Sequence, residues 1–217
     1  MGNGILGEGF GMICNGLKAS LESLQTIKFN NLTVPTVENE NIDLNSLVKD
    51  CISLKEIYLP QNVKHYLIID HLKSSSSKSL EFIDVFKCEL NEEQGNSLAD
   101  LPEECKSLRE FSFAHDYQLY KAFEKICQGL LSSSHCLLNI TLHNCCLNGD
   151  QTKNFSILLK ECKLLQQITI NSHEKYFIKE FKSIFQGLQT SKNQLTSIII
   201  ESLDIDNAPD LDFLLKY

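Results

Sequence analysis

The sequence predicts an α/β solenoid: a parallel sheet along the inside of an arc, helices outside it, and about seven stacked units. Three observations lead there. The hexad L-x-x-φ-x-φ, where φ is Ile, Leu, Val or Phe, occurs seven times. Successive copies start 26 to 30 residues apart, 28.5 on average. Between them run segments whose apolar residues keep helical spacing. A strand, a turn and a helix of that combined length cannot close a core alone, so the copies must stack.

In chain order the hexads are LQTIKF from Leu24, LKEIYL from Leu54, LEFIDV from Leu80, LREFSF from Leu108, LLNITL from Leu137, LQQITI from Leu165 and LTSIII from Leu195. The fourth and sixth positions are two apart, the spacing of a strand with one buried face. Strands are therefore expected near 24–30, 54–60, 80–86, 108–114, 137–143, 165–171 and 195–201, within a single domain spanning 1–217. The connecting segment YKAFEKICQGLL places Phe123, Ile126, Cys127, Leu130 and Leu131 on one helical face, and NFSILLKECKLL and YFIKEFKSIFQGL repeat that pattern.

Flanking residues keep the same phase. Cys51, Cys105 and Cys162 stand three positions before the first leucine, and Asn62, Cys88, Asp116, Cys145 and His173 stand eight after it. Two positions further, Val34, Leu90, Leu147 and Ile205 add an apolar residue, and serine runs at Ser74 to Ser77 and Ser132 to Ser134 each precede a strand. An eighth-position side chain is expected to turn inward and satisfy backbone groups where the chain leaves the strand, which makes Cys88, Cys145 and His173 structural.

The extended pattern L-x-x-L-x-L-x-x-N/C resembles the leucine-rich-repeat family from about Leu21 to about Asp206. Copies one and seven depart from it, with Leu32 and Leu203 at the Asn/Cys position. The resemblance implies a horseshoe of the ribonuclease-inhibitor-like subtype, as in the sensor domain of nucleotide-binding leucine-rich-repeat (NLR) receptors. It implies a non-catalytic domain that senses a ligand or holds its receptor inactive. Cys51, Cys105 and Cys162, with Cys88 and Cys145, are also similar to the cysteine-containing repeats of F-box substrate receptors, so the recognition arm of a ubiquitin ligase is an alternative. A structural scaffold is a third.

Composition narrows the partners. A net charge of −8 with no basic cluster argues against nucleic acid and membrane surfaces. The start MGNGILGEGFGMICNGL lacks a positive region and a long apolar core, and no stretch reaches the roughly 18 apolar residues of a membrane span, so a cytoplasmic protein is expected. Nine cysteines, an odd number falling mostly at repeated apolar positions, read as reduced thiols. The sequons at Asn31, Asn139 and Asn154 then carry no weight. Gly2, Gly4 and Gly7 spell G-x-G-x-x-G, but no residues precede them that could form the strand this motif requires, and Leu6 stands where a myristoylation motif takes Ser or Thr.

His135, Cys136, His143, Cys145 and Cys146 form the densest reactive cluster, yet the chain has no C-x-x-C pair and the repeat scatters these residues, so no metal and no cofactor are expected. An open sheet offers a cysteine nucleophile neither a base nor a closed pocket, and no P-loop, G-x-S-x-G or H-E-x-x-H occurs. Catalysis is not expected.

The third, fifth and seventh positions should face the concave side. Seven strands make a strip roughly 29 Å long, enough for one domain of a protein partner. Copies two to four differ from the rest: Tyr58, Phe82 and Phe86 gather beside Glu56, Asp84 and Glu110, an aromatic centre with an acidic rim. With Ser112 and His143 these are the candidate protein-binding residues, and their charge suits a partner with a basic patch. Neither the apolar N-terminal segment around Phe10, Met12, Ile13 and Leu17 nor the final DLDFLLKY reads as a polar cap. The chain is therefore expected to be a fragment of a larger protein, whose other domains would be further partners.

Overall fold

In the five central copies the first leucine of the hexad, Leu54, Leu80, Leu108, Leu137 and Leu165, is fully buried, while Leu24 and Leu195 at the two ends pack against the core only partly covered. The fourth position follows suit, with Ile27, Ile57, Ile83, Phe111, Ile140 and Ile168 buried. So does the sixth, with Leu59, Val85, Phe113, Leu142 and Ile170. One continuous apolar spine results, because no single copy could enclose its own leucine.

A computed structural model of the chain describes residues 12–13, 15–28, 41–59, 65–85, 92–114, 119–143, 147–171, 183–188 and 194–201. Seven strands, β1 Thr26–Lys28, β2 Glu56–Tyr58, β3 Phe82–Val85, β4 Glu110–Ala114, β5 Asn139–His143, β6 Gln167–Asn171 and β7 Ser197–Glu201, form one sheet in sequential order. All neighbours are parallel, and the third motif positions align across the whole sheet. Helices α1 Asn41–Asp50, α2 His65–Ser75, α3 Glu92–Glu104, α4 Leu119–Ser132, α5 Gly149–Glu161 and the short α6 at 183–188 connect successive strands. The fold is a leucine-rich-repeat solenoid of about seven repeats, with the sheet concave and the helices convex.

Each strand begins two residues into its expected window, and the backbone explains the offset. The carbonyl at the second position accepts two successive N–H groups of the next copy: Gln25 O takes those of Lys55 (2.7 Å) and Glu56 (3.0 Å), and Arg109 O takes those of Leu138 (2.7 Å) and Asn139 (3.0 Å). The same shared acceptor recurs at every junction between copies. The leucine before it enters the core from a turn instead of from the ladder.

Those turns are tied from copy to copy by short polar side chains. The buried Ser133 hydroxyl donates to the carbonyls of Pro102 (2.9 Å) and Cys105 (3.1 Å), and Ser76 donates likewise to Cys51 O. Immediately before the first leucine, Ser79 donates to Leu54 O (2.8 Å) and Cys136 to Leu108 O (3.2 Å). Serine and cysteine thus satisfy carbonyls that the stacking would otherwise leave buried and unpaired.

On the convex side, adjacent helices meet through small residues. A Cβ on Gly129 of α4 would stand 2.0 Å from the carbonyl oxygen of Ala99 in α3, and one on Gly95 would stand 2.3 Å from the Ala122 Cβ. Helix α5 opens with a capping box: the Asn148 side chain accepts from the Gln151 N–H and the Gln151 side chain from the Asn148 N–H, both at 2.9 Å. Of the apolar N-terminal segment, Leu17 and Leu21 pack on the core while Met12 and Ile13 are exposed. Among the described residues no helix is long and apolar enough to cross a membrane.

The expected eighth-position residues Asn62, Cys88, Asp116, Cys145 and His173 lie outside the described residues. So do Leu32, Leu203, Gly2, Gly4, Gly7, Phe10 and the final DLDFLLKY.

Candidate functional site

Parallel register sorts the concave side chains into rows. The third positions form one row, Thr26, Glu56, Phe82, Glu110, Asn139, Gln167 and Ser197. The fifth positions form the next, Lys28, Tyr58, Asp84, Ser112, Thr141, Thr169 and Ile199. A third row, at the seventh position, holds Ala114, His143, Asn171 and Glu201.

In the first two rows the aromatic and acidic residues of copies two to four come together. The rings of Tyr58 and Phe82 lie 4.7 Å apart at an interplanar angle of 42°. Lys28, one rung before Tyr58, sets its Nζ 4.1 Å from the Tyr58 ring centroid, a cation–π contact. Glu56 pairs with Phe82 and Phe82 with Glu110, so carboxylates stand on both sides of Phe82. Both rings are partly covered, each by the other and Tyr58 by Lys28 as well.

Asp84 is the polar centre of this cluster. Burial pushes its carboxyl above the ordinary carboxylate range, against a hydrogen bond from the Ser112 side chain and the weaker fields of His143 and Lys28. Its Oδ1 atom is buried without a hydrogen-bond partner among the described residues. Ser112 faces the same side but is only 6% exposed, covered within its row, so it holds Asp84 and offers little surface of its own. Phe86 lies outside the described residues.

Copies five and six are polar and, with Glu201 of copy seven, partly self-satisfied. The Gln167 amide donates to Thr169 Oγ1 (3.3 Å), and the Asn171 amide to Glu201 Oε2 (3.0 Å). His143 stands beside Asn171 in the third row, partly buried, two rungs from the aromatic pair.

His135 is exposed in a turn, whereas the Cys136 thiol lies within 3.3 Å of the carbonyls of Lys106, Leu108 and Ser133, and Cys145 and Cys146 lie outside the described residues. Among the described residues no group of three or more His, Cys, Asp or Glu could hold a metal ion. Burial raises the thiols of Cys51 to about 11 and of Cys105 and Cys162 to about 12, and raises Cys127 further still.

Two features escaped sequence reasoning. Lys28 was legible as a concave residue, but its contact with Tyr58 depends on register. At the second motif position Glu81 stands between Lys55 (3.5 Å) and Arg109 (3.7 Å), a charged row on the strand-entry rim, signalled by Lys, Glu and Arg in three consecutive copies. All three side chains are solvent-accessible, so the row adds little stability.

No protein-family model matches the chain, and no curated protein matches it. Solved structures do. A leucine-rich-repeat-containing protein, LegL7 of Legionella pneumophila, superposes with a TM-score of 0.52 at 14% identity, covering 96% of this chain and 75% of LegL7. Actin-binding site 2 of leiomodin-1 gives 0.51 at 14% identity, covering 72% of this chain and 90% of that domain. The tropomodulin C-terminal domain of Caenorhabditis elegans gives 0.49 at 12% identity, covering 83% and 92%. At these identities the likeness is one of fold.

Proposed function

We propose that the chain is a non-catalytic domain that binds a protein partner through its concave sheet, using Glu56, Tyr58, Phe82, Asp84, Phe86, Glu110 and His143, with Ser112 positioning Asp84. The single observation that carries this is the Tyr58–Phe82 ring pair on an open sheet face, flanked by three carboxylates. Aromatic anchors within a polar rim are the usual make-up of a binding hot spot, and the excess of negative charge suits a partner with a basic patch. The leiomodin-1 domain is an actin-binding site, a protein-binding use of the same architecture. Nucleic acid and membrane do not fit the charge.

The context proposed is the ligand-sensing or autoinhibitory end of an NLR-type innate immune receptor in the cytoplasm, with the other domains of a longer protein as additional partners. Repeat length supports it, and the five described cysteines, all free, are compatible with a reducing compartment. The substrate arm of an F-box ubiquitin ligase is the second reading, favoured by Cys51, Cys105 and Cys162 recurring at one motif position.

Pull-down from cytosol with the wild type and a Tyr58→Ser/Phe82→Ser/Phe86→Ser variant tests the binding face. Loss of a specific partner in the variant is expected. Identical partner sets would overturn the proposal and leave a structural scaffold.

A further inference from the structure

Building on that binding face, we infer that Tyr58, Phe82 and Asp84 form a receptor for one arginine side chain of the partner, and that Lys28 occupies it in the free protein.

The placement of Lys28 is the first observation. A ring face carries negative potential, and Lys28 Nζ lies 4.1 Å over that of Tyr58. Register puts Lys28, Tyr58 and Asp84 in one row on three adjacent strands. A cation held over the middle ring therefore has a carboxylate on the following strand, roughly 5 Å away in backbone terms. Lys28 is exposed and holds this pose against the rotamer entropy of a four-carbon stem.

Asp84 supplies the second, independent observation. Its Oδ1 is buried with no hydrogen-bond partner among the described residues, and an unpaired buried carboxylate oxygen is costly. Lys28 lends it only a weak field and no ion pair: the ion pairs among the described residues are Lys55–Glu81, Lys73–Asp70, Lys73–Asp100 and Arg109–Glu81. The internal lysine thus satisfies the ring and leaves the Asp84 Oδ1 without a donor.

An arginine answers both. Its planar guanidinium stacks on aromatic faces and presents a fork of donors that matches a carboxylate, whereas an ammonium is a compact, strongly hydrated point charge. Glu56 and Glu110, flanking Phe82 in the adjoining row, add attraction for an incoming positive charge. Access to the Tyr58 ring face opens when the exposed Lys28 swings into solvent.

The test is an NMR titration of the Tyr58 and Phe82 ring signals with the peptide acetyl-Gly-Arg-Gly-amide, and with the neutral isostere in which citrulline replaces arginine. The arginine peptide shifts both rings and saturates, and the citrulline peptide does not. Lys28→Ala, an exposed site with no bearing on the core, binds about two- to fivefold tighter because an internal cation–π contact no longer competes. Asp84→Asn binds more weakly. Equal responses to the two peptides, or a Lys28→Ala variant no tighter than wild type, would overturn the inference. If the triple-serine variant loses its protein partner while Lys28→Ala shows no arginine response, the arginine receptor falls and the binding face stands. If the triple-serine variant keeps its partner, both fall.

Discussion

Tyr58 and Phe82 touch without being rung partners: Tyr58 pairs with Asp84 and Glu56 with Phe82, yet the two rings meet diagonally at 4.7 Å. The diagonal is within reach of aromatic side chains on adjacent strands and braces β2 and β3 at the narrow end of the sheet, where β2 is three residues long. Tyr58→Ala and Phe82→Ala should therefore be non-additive in urea unfolding, with a coupling of about 0.5–1.5 kcal/mol. Strict additivity would mean that the rings sit side by side without supporting one another.

Close packing of α3 and α4 predicts an asymmetric response to two glycine substitutions. Gly129→Ala drives a methyl to 2.0 Å from the Ala99 carbonyl oxygen and should cost about 1–3 kcal/mol by chemical denaturation. Gly149→Ala at the start of α5 meets nothing within 4 Å and should be neutral or slightly stabilising. Equal effects would contradict the contact.

Buried thiols should resist alkylation in the folded state. Burial leaves Cys51, Cys105, Cys127 and Cys162 almost without thiolate near neutral pH, and the thiolate is the reactive form. Iodoacetamide followed by peptide mass spectrometry should modify these four only at the rate of unfolding, with Cys136 reacting earlier because it is less buried. Modification of Cys105 at the rate of an exposed thiol would contradict its place in the stack.

Asp84 should leave a signature in pH titration of stability. Burial raises its folded pKa, so as pH rises above the ordinary range of an aspartate the unfolded chain gives up its proton first and the folded state is penalised. Compared with Asp84→Asn, the wild type should lose stability across that interval and no more above it. A relative gain with rising pH would mean that Ser112, His143 and Lys28 outweigh burial.

Much of the sheet was legible because its signal is one-dimensional. A leucine, then apolar residues two apart, repeated at 28.5 on average, places Ile57, Ile83 and Ile140 in one buried row. Alternation also puts Glu56, Tyr58, Phe82 and Asp84 on one face. Not legible was how those side chains use each other. Ser112 occupies a surface position by alternation and is covered because Asp84 stands on the neighbouring rung. Lys28 reads as a free charge until register sets it over Tyr58. The Gly129–Ala99 contact joins residues 30 apart, and no local pattern marks it.

Site-specific photocrosslinking tests binding through the concave face most directly. A benzophenone amino acid at Glu56 or Glu110, beside the Tyr58–Phe82 pair, should capture a specific protein partner. The same probe at Ile157, exposed on convex α5, should not. Capture from Ile157 and not from Glu56 or Glu110 would place the interface on the helices and contradict the account.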